Sequence, residues 1–143
     1  MEKRDLNIYR VDDSGKAVAP FFDGGVAAGF PSPADDYKEL SLDLNSLLVK
    51  HREATFYARV SGQSMIGAGL DDGDILVIDR SLEPADGKIA VCCINGEFTV
   101  KRLKVTDGAC WLMPENEAFP PIRVEEESDF IVWGVVTYVI KAV

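Results

Sequence analysis

The chain has 143 residues, 24 of them acidic and 15 basic, for a net charge of -9 at neutral pH. That length holds one ordinary domain with a modest arm to spare, and the acidic excess repels a phosphate backbone, which argues against strong direct binding to nucleic acid. No apolar run approaches the roughly 18–20 residues of a membrane span, and Met1-Glu2-Lys3-Arg4-Asp5 opens no signal peptide, so a cytoplasmic protein with no membrane partner is expected.

Residues 1–40 carry no sustained apolar period and read as an N-terminal arm. It contains Asp23-Gly24-Gly25, the small-residue run Val26-Ala27-Ala28-Gly29 and then Phe30-Pro31-Ser32-Pro33. The prolines favour extended backbone and deny ladder hydrogen bonds, which keeps this segment out of a sheet centre. Residues 41–143 read as one β-rich domain. It opens on a short helix, with Leu44, Leu47 and Leu48 at helical spacing behind an Asp43 cap. Strands follow over 54–60, 74–79, 88–94 and 97–103, the last two joined by Asn95-Gly96, a strong hairpin signal, and again over 111–113 and 130–140. Short strands, frequent turns and almost no helix predict a mostly β fold, a compact partly closed barrel or a sandwich with an extended N-terminal arm. Cys92, Cys93 and Cys110 read as buried thiols of a reducing compartment. Asp71-Asp72-Gly73-Asp74 and Glu125-Glu126-Glu127 lack EF-hand spacing and read as solvated turns, so no metal and no cofactor is expected.

The chemistry worth weighing is that of a serine and a lysine. The single histidine, His51, sits in Lys50-His51-Arg52-Glu53 and leaves a Ser-His-Asp triad little material. A serine hydroxyl needs a base to take its proton, and a lysine serves when burial favours its neutral form. Ser64, in Ser61-Gly62-Gln63-Ser64-Met65, lies between a strand end and the helical-looking stretch 65–70. Backbone N–H groups at such a start, those of Ser64 and Met65, are free to form an oxyanion hole; the plainer reading is that Ser64 caps the helix. Lys101 shares one face of its strand with Thr99 and Leu103. It is a desolvated base if that face is the inner one, and an ordinary solvated lysine if it is the outer one. By themselves these residues leave both readings open.

A wider set of motifs runs in one order from Phe21 to the C-terminus: Gly29-Phe30-Pro31-Ser32-Pro33-Ala34-Asp35-Asp36-Tyr37, Asp43-Leu44-Asn45 with Leu47-Leu48, Ser61-Gly62-Gln63-Ser64-Met65-Ile66, Asp72-Gly73-Asp74, Gly96-Glu97-Phe98-Thr99-Val100-Lys101 and Gly134-Val135-Val136. Together they resemble the LexA/UmuD family of self-cleaving serine peptidases. The resemblance implies a β-rich fold shared with bacterial signal peptidases, without their membrane anchor. It implies Ser64 as nucleophile and Lys101 as general base of a Ser-Lys dyad. That family cuts its own arm between a small residue and glycine, which here aligns with Ala28-Gly29; a shallow pocket would accept the methyl, and glycine would permit close backbone approach. Ala68-Gly69 lies too near Ser64 along the chain to loop back into its own site. Gln63 departs from the Asp that many relatives carry before the serine. About 25 residues separate Gly29 from the first expected strand, and at about 3.3 Å per extended residue both cleavage within a chain and cleavage between partners stay open.

By the same resemblance, a RecA-DNA filament would stimulate one cut during the SOS response, and the trimmed homodimer would join a UmuC-type Y-family polymerase in translesion synthesis. Two other readings compete. In a LexA- or phage-type repressor the cut would release a DNA-binding head, but the 28 residues before the bond are too few for a helix-turn-helix domain. In a non-enzymatic dimeric interaction module, Ser64 and Lys101 would be structural, and the chain would stay whole at alkaline pH.

Overall fold

The computed structural model describes residues 6–16, 18–22, 28–29 and 39–143. They fall into two compact units, one made of residues 6–11 with His51–Val143 and one within Asp12–Lys50. In chain order the strands are β1 (Leu6–Arg10), β2 (Val18–Phe22), β3 (Glu39–Asp43), β4 (Thr55–Val60), β5 (Ile75–Asp79), β6 (Ile89–Ile94), β7 (Glu97–Thr106), β8 (Ala109–Met113), β9 (Ile122–Arg123) and β10 (Phe130–Ile140), with one short helix, α1 (Leu44–Leu48).

The larger unit is an eight-stranded sheet in the order β1-β4-β5-β10-β6-β7-β8-β9. Its pairings are all antiparallel, and it does not close into a barrel. The mostly β architecture is the one the short apolar runs predict. Between β6 and β7, Asn95 and Gly96 both take positive φ, 50° and 82°, the turn geometry that matches strand twist and that Asn-Gly adopts readily. β10 pairs with β5 along one part of its length and with β6 along the other, through register shifts at Val132/Gly134 and Val136/Tyr138. Such shifts bend a strand and sharpen its twist, so one long strand joins two halves of the sheet.

Successive residues of a strand point to opposite faces, and the sheet buries both. Val91 joins Ala58, Val60, Met65, Leu70, Leu76, Ile78 and Val100 in one cluster. Its neighbours Ala90 and Cys92 join Leu103 and Leu112 in another. This two-sided burial explains why β5 and β6 read as near-continuous apolar runs rather than as alternating ones.

β1 is a departure from the patternless arm read in residues 1–40. Leu6–Arg10 adds to the sheet edge, pairing with β4 in the register Ile8↔Ala58. An edge strand needs ladder partners on one side only, so five residues of weak alternation suffice. In the smaller unit β2 pairs with β3, and Pro20 is tolerated inside β2 because a two-stranded ribbon leaves half its amides unpaired. α1 begins as its sequence predicts: Asp43 accepts from the Asn45 amide at 3.1 Å and from Ser46 Oγ at 3.0 Å. The extended stretch expected at Phe30-Pro31-Ser32-Pro33 lies outside the described residues, while Ala28 and Gly29 are described and solvent-exposed.

Candidate active site

After β4 ends at Val60, the chain turns through Ser61-Gly62-Gln63 and reaches Ser64. The turn is held by Asp72, whose Oδ1 accepts from the Gly62 amide at 2.8 Å. Met65, 1 % exposed, drives its side chain into the first core cluster and anchors the loop from below. The helical stretch read over 65–70 shrinks to a single 3-10 turn, Ile66–Ala68, with Met65 rather than Ser64 at its N-cap position and no side chain capping it. The Ser64 hydroxyl is therefore not a cap.

It meets Lys101 instead. Lys101 Nζ lies 3.0 Å from Ser64 Oγ, 2.7 Å from Thr99 Oγ1 and 3.1 Å from the Val100 carbonyl. The lysine is 5 % exposed, which removes the solvated-lysine alternative. Strand alternation accounts for the placement: Thr99, Lys101 and Leu103 share a face of β7, and the opposed residues of β6, Cys92 against Thr99 and Ala90 against Lys101, lie on that face too. Taking an ammonium out of water disfavours its charged form. Ser64 Oγ, Thr99 Oγ1 and the Val100 carbonyl all accept from Lys101 Nζ, which fixes the amine beside the serine hydroxyl.

A segment that sequence reasoning missed completes the loop's frame. Beyond β8, the Glu115 amide donates to the Ser64 carbonyl at 2.8 Å, and the Glu115 carbonyl accepts from the Gly67 amide at 2.7 Å. Asn116 Nδ2 donates to the Gln63 carbonyl at 2.8 Å. Gly67 has to be glycine for this approach, since a Cβ there would sit 2.6 Å from the Glu115 carbonyl oxygen. Among the described residues the amides of Ser64 and Met65 donate to no carbonyl. A cleft of about 650 Å³ opens beside the loop, walled by Ile66, Gly67, Met113, Pro114, Glu115 and Phe119.

The other polar groups singled out in the sequence do different work. His51 Nδ1 sits 2.5 Å from Asp79 Oδ2, and Asp79 Oδ1 accepts from the Ser81 amide and hydroxyl. Burial pushes the Asp79 carboxyl upward, but the hydrogen bonds from His51 and Ser81 outweigh it and hold the group below the ordinary carboxylate value. The acidic run at 71–74 is a structural tie rather than a freely solvated turn. Asp74 is 6 % exposed; burial opposes its charge, while Lys141 and the Asp71 amide prevail and lower its pKa. Lys141 bridges Asp71 and Asp74, which raises its own pKa. The three cysteines are free thiols, Cys92 buried and the other two partly so. Burial pushes Cys92 up to about 12. Among the described residues no helix is long and apolar enough to cross a membrane.

The fold and site thus define a mostly β protein in which a buried lysine amine is held against a serine hydroxyl contributed by a loop on another strand pair. Residues 20–137 match the family model described as Peptidase S24-like, and the chain belongs to that family as a UmuD-like member. It is 46% identical over 120 residues to Protein MucA of Salmonella typhimurium, covering 83% of this chain and 82% of that one. With Protein ImpA of Escherichia coli it shares 46% identity over 129 residues, 90% of this chain and 86% of the relative. It is also 41% identical over 121 residues to the LexA repressor of Acidithiobacillus ferrooxidans, covering 82% of this chain and 58% of the repressor.

Proposed function

We propose that this chain is a self-cleaving serine endopeptidase in which Ser64 is the nucleophile, Lys101 the general base, and Ala28-Gly29 the bond cut. The observation that carries the reading is the 3.0 Å approach of a nearly dry Lys101 Nζ to Ser64 Oγ. Lys101 Nζ takes the hydroxyl proton as Oγ attacks the Ala28 carbonyl carbon, and the resulting oxyanion is stabilised by the amides of Ser64 and Met65. As the C–N bond breaks, the Lys101 ammonium returns its proton to the Gly29 nitrogen, leaving an ester between Ala28 and Ser64. Water then attacks that ester, giving its proton to Lys101, which passes it back to Ser64 Oγ. Thr99 Oγ1 and the Val100 carbonyl hold the amine in line throughout.

Residues 1–40 act as the arm that contains the cleavage site and 41–143 as the peptidase and dimerisation domain. Following the family resemblance, the protein is cytoplasmic, and a RecA-DNA filament raises the population of the arrangement in which Ala28-Gly29 reaches Ser64, supplying no catalytic group. The trimmed homodimer then joins a UmuC-type Y-family polymerase in SOS translesion synthesis. Mass spectrometry after incubation at alkaline pH, with and without activated RecA filament, tests this. Two fragments meeting at Ala28-Gly29 are expected from the wild type and none from Ser64→Ala or Lys101→Ala; wild-type fragment yield from either folded variant removes the mechanism.

A further inference from the structure

We propose that Arg102 and Glu115 are positioning residues, an ion-paired strut that sets the distance between the serine and the lysine. The inference rests on the reading above, that these two groups form the reacting pair.

Lys101 and Arg102 are consecutive on β7, so their side chains leave opposite faces of one strand. Lys101 reaches Ser64 directly, while Arg102 Nε donates to Glu115 Oε1 at 2.6 Å. Glu115 in turn holds both ends of the loop that carries the hydroxyl, through its amide to the Ser64 carbonyl and its carbonyl to the Gly67 amide. The path closes on itself: β7, Arg102, Glu115, Ser64, Lys101 and back to β7. Arg102 is itself braced, since its Nη1 donates to the Gly87 carbonyl at 2.7 Å and the Gly87 amide donates to the Leu103 carbonyl at 2.8 Å.

The strut stands where regular pairing gives out. The β7–β8 ladder ends at Arg102↔Met113, and Pro114 follows, a residue with no N–H to continue a ladder. Among the described residues, the hydrogen bonds of Glu115 go to Ser64, Gly67 and Arg102 alone, so the tie from this segment back to β7 runs through the guanidinium. Both partners are about one-third exposed, at 38% and 34% of their side chains. A pair so placed adds little to global stability, which frees its geometry to serve the neighbouring site.

The test compares wild type with Arg102→Ala, Arg102→Lys, Glu115→Gln and the Arg102→Ala/Glu115→Gln double variant by amide hydrogen exchange and by self-cleavage across alkaline pH. Arg102→Ala should speed exchange of the Glu115 and Gly67 amides while Val91 in the core stays protected. It should slow cleavage about tenfold to a hundredfold, as a displacement of roughly 1 Å does at a reacting pair. The midpoint of the pH profile should stay where it is, Arg102→Lys should recover part of the rate, and the double variant should be no slower than the worse single. Unchanged exchange at Glu115 and Gly67 in Arg102→Ala overturns the strut whether or not the chain cleaves. Faster exchange with wild-type cleavage also overturns it, provided Ser64→Ala is inert. A wild type that never cuts itself sinks the peptidase reading instead, and the exchange arm still decides the strut.

Discussion

Replacing Gly67 by alanine perturbs the site through one methyl group. Its Cβ would lie 2.6 Å from the Glu115 carbonyl oxygen and 3.3 Å from the carbonyl carbon, backbone atoms that cannot swing aside as a side-chain tip would. A Cβ is essentially never found within 3.0 Å of such an atom and ordinary contact begins at 3.4 Å, so the two segments must separate by about 0.4–0.8 Å. The Gly67 amide bond to that same oxygen, 2.7 Å in the native chain, is stretched or lost. Losing one such bond costs about 1 kcal/mol and overpacking typically about 1–3 kcal/mol, so the domain should be weakened by about 2–4 kcal/mol but still fold. Ser64 is three residues away on the same loop and cannot hold its 3.0 Å approach to Lys101 if the loop moves by that amount. A fall in self-cleavage of about tenfold to a hundredfold is expected. Urea denaturation measures the first number and fragment yield against time at alkaline pH measures the second. Wild-type cleavage from a Gly67→Ala chain that is destabilised as stated would refute the claim that Glu115 holds the nucleophile in place.

Three further outcomes are expected. Met65→Ala should cost about 2–5 kcal/mol in urea denaturation, because the side chain is 1 % exposed and its removal leaves a cavity under the Ser64 loop. Asp79→Asn should cost about 1–3 kcal/mol at neutral pH by weakening the hydrogen bonds from His51 and Ser81. Since the folded pKa of Asp79 lies below its ordinary 3.8, this contribution is complete above that pH and is lost as the pH falls below it; the wild-type and variant stabilities should therefore converge in acid, and a gap that persists there would count against the assignment. Cys92, pushed up to about 12, should resist alkylation in the native protein at mildly alkaline pH and react on unfolding, with Cys93 and Cys110 labelled before it in peptide mapping.

Much of the frame is local and was readable as such. Asn95-Gly96 specifies a two-residue turn through its own backbone preferences, Asp43 caps α1 through bonds to residues two and three positions on, and β10 begins and ends with its apolar run. β1 was not legible, because an edge strand is made by the partner it finds on β4 and needs little pattern of its own. The ties made by Asp72 and Asp74 were missed for a related reason. Their partners, Gly62 and Lys141, lie far along the chain, and an acidic run looks the same whether solvated or bonded.

The residues of the site divide the same way. The order of residues determined that Ser64 follows a strand end, that Lys101 shares a strand face with Thr99, and that a small residue precedes glycine at Ala28-Gly29. Alternation along β7 assigns Lys101 to a face but is silent on whether that face turns inward. Only the packing of the sheet made it the dry one and brought together two groups 37 residues apart. Glu115 left no trace in the pattern at all, because its contacts, through the backbone to the Ser64 loop and through the carboxylate to Arg102, exist only once β8 has been laid beside β7. Local preferences reach across a turn or a strand pair; the distance between a hydroxyl on a loop and an amine on a strand is set by the packing that brings the two together.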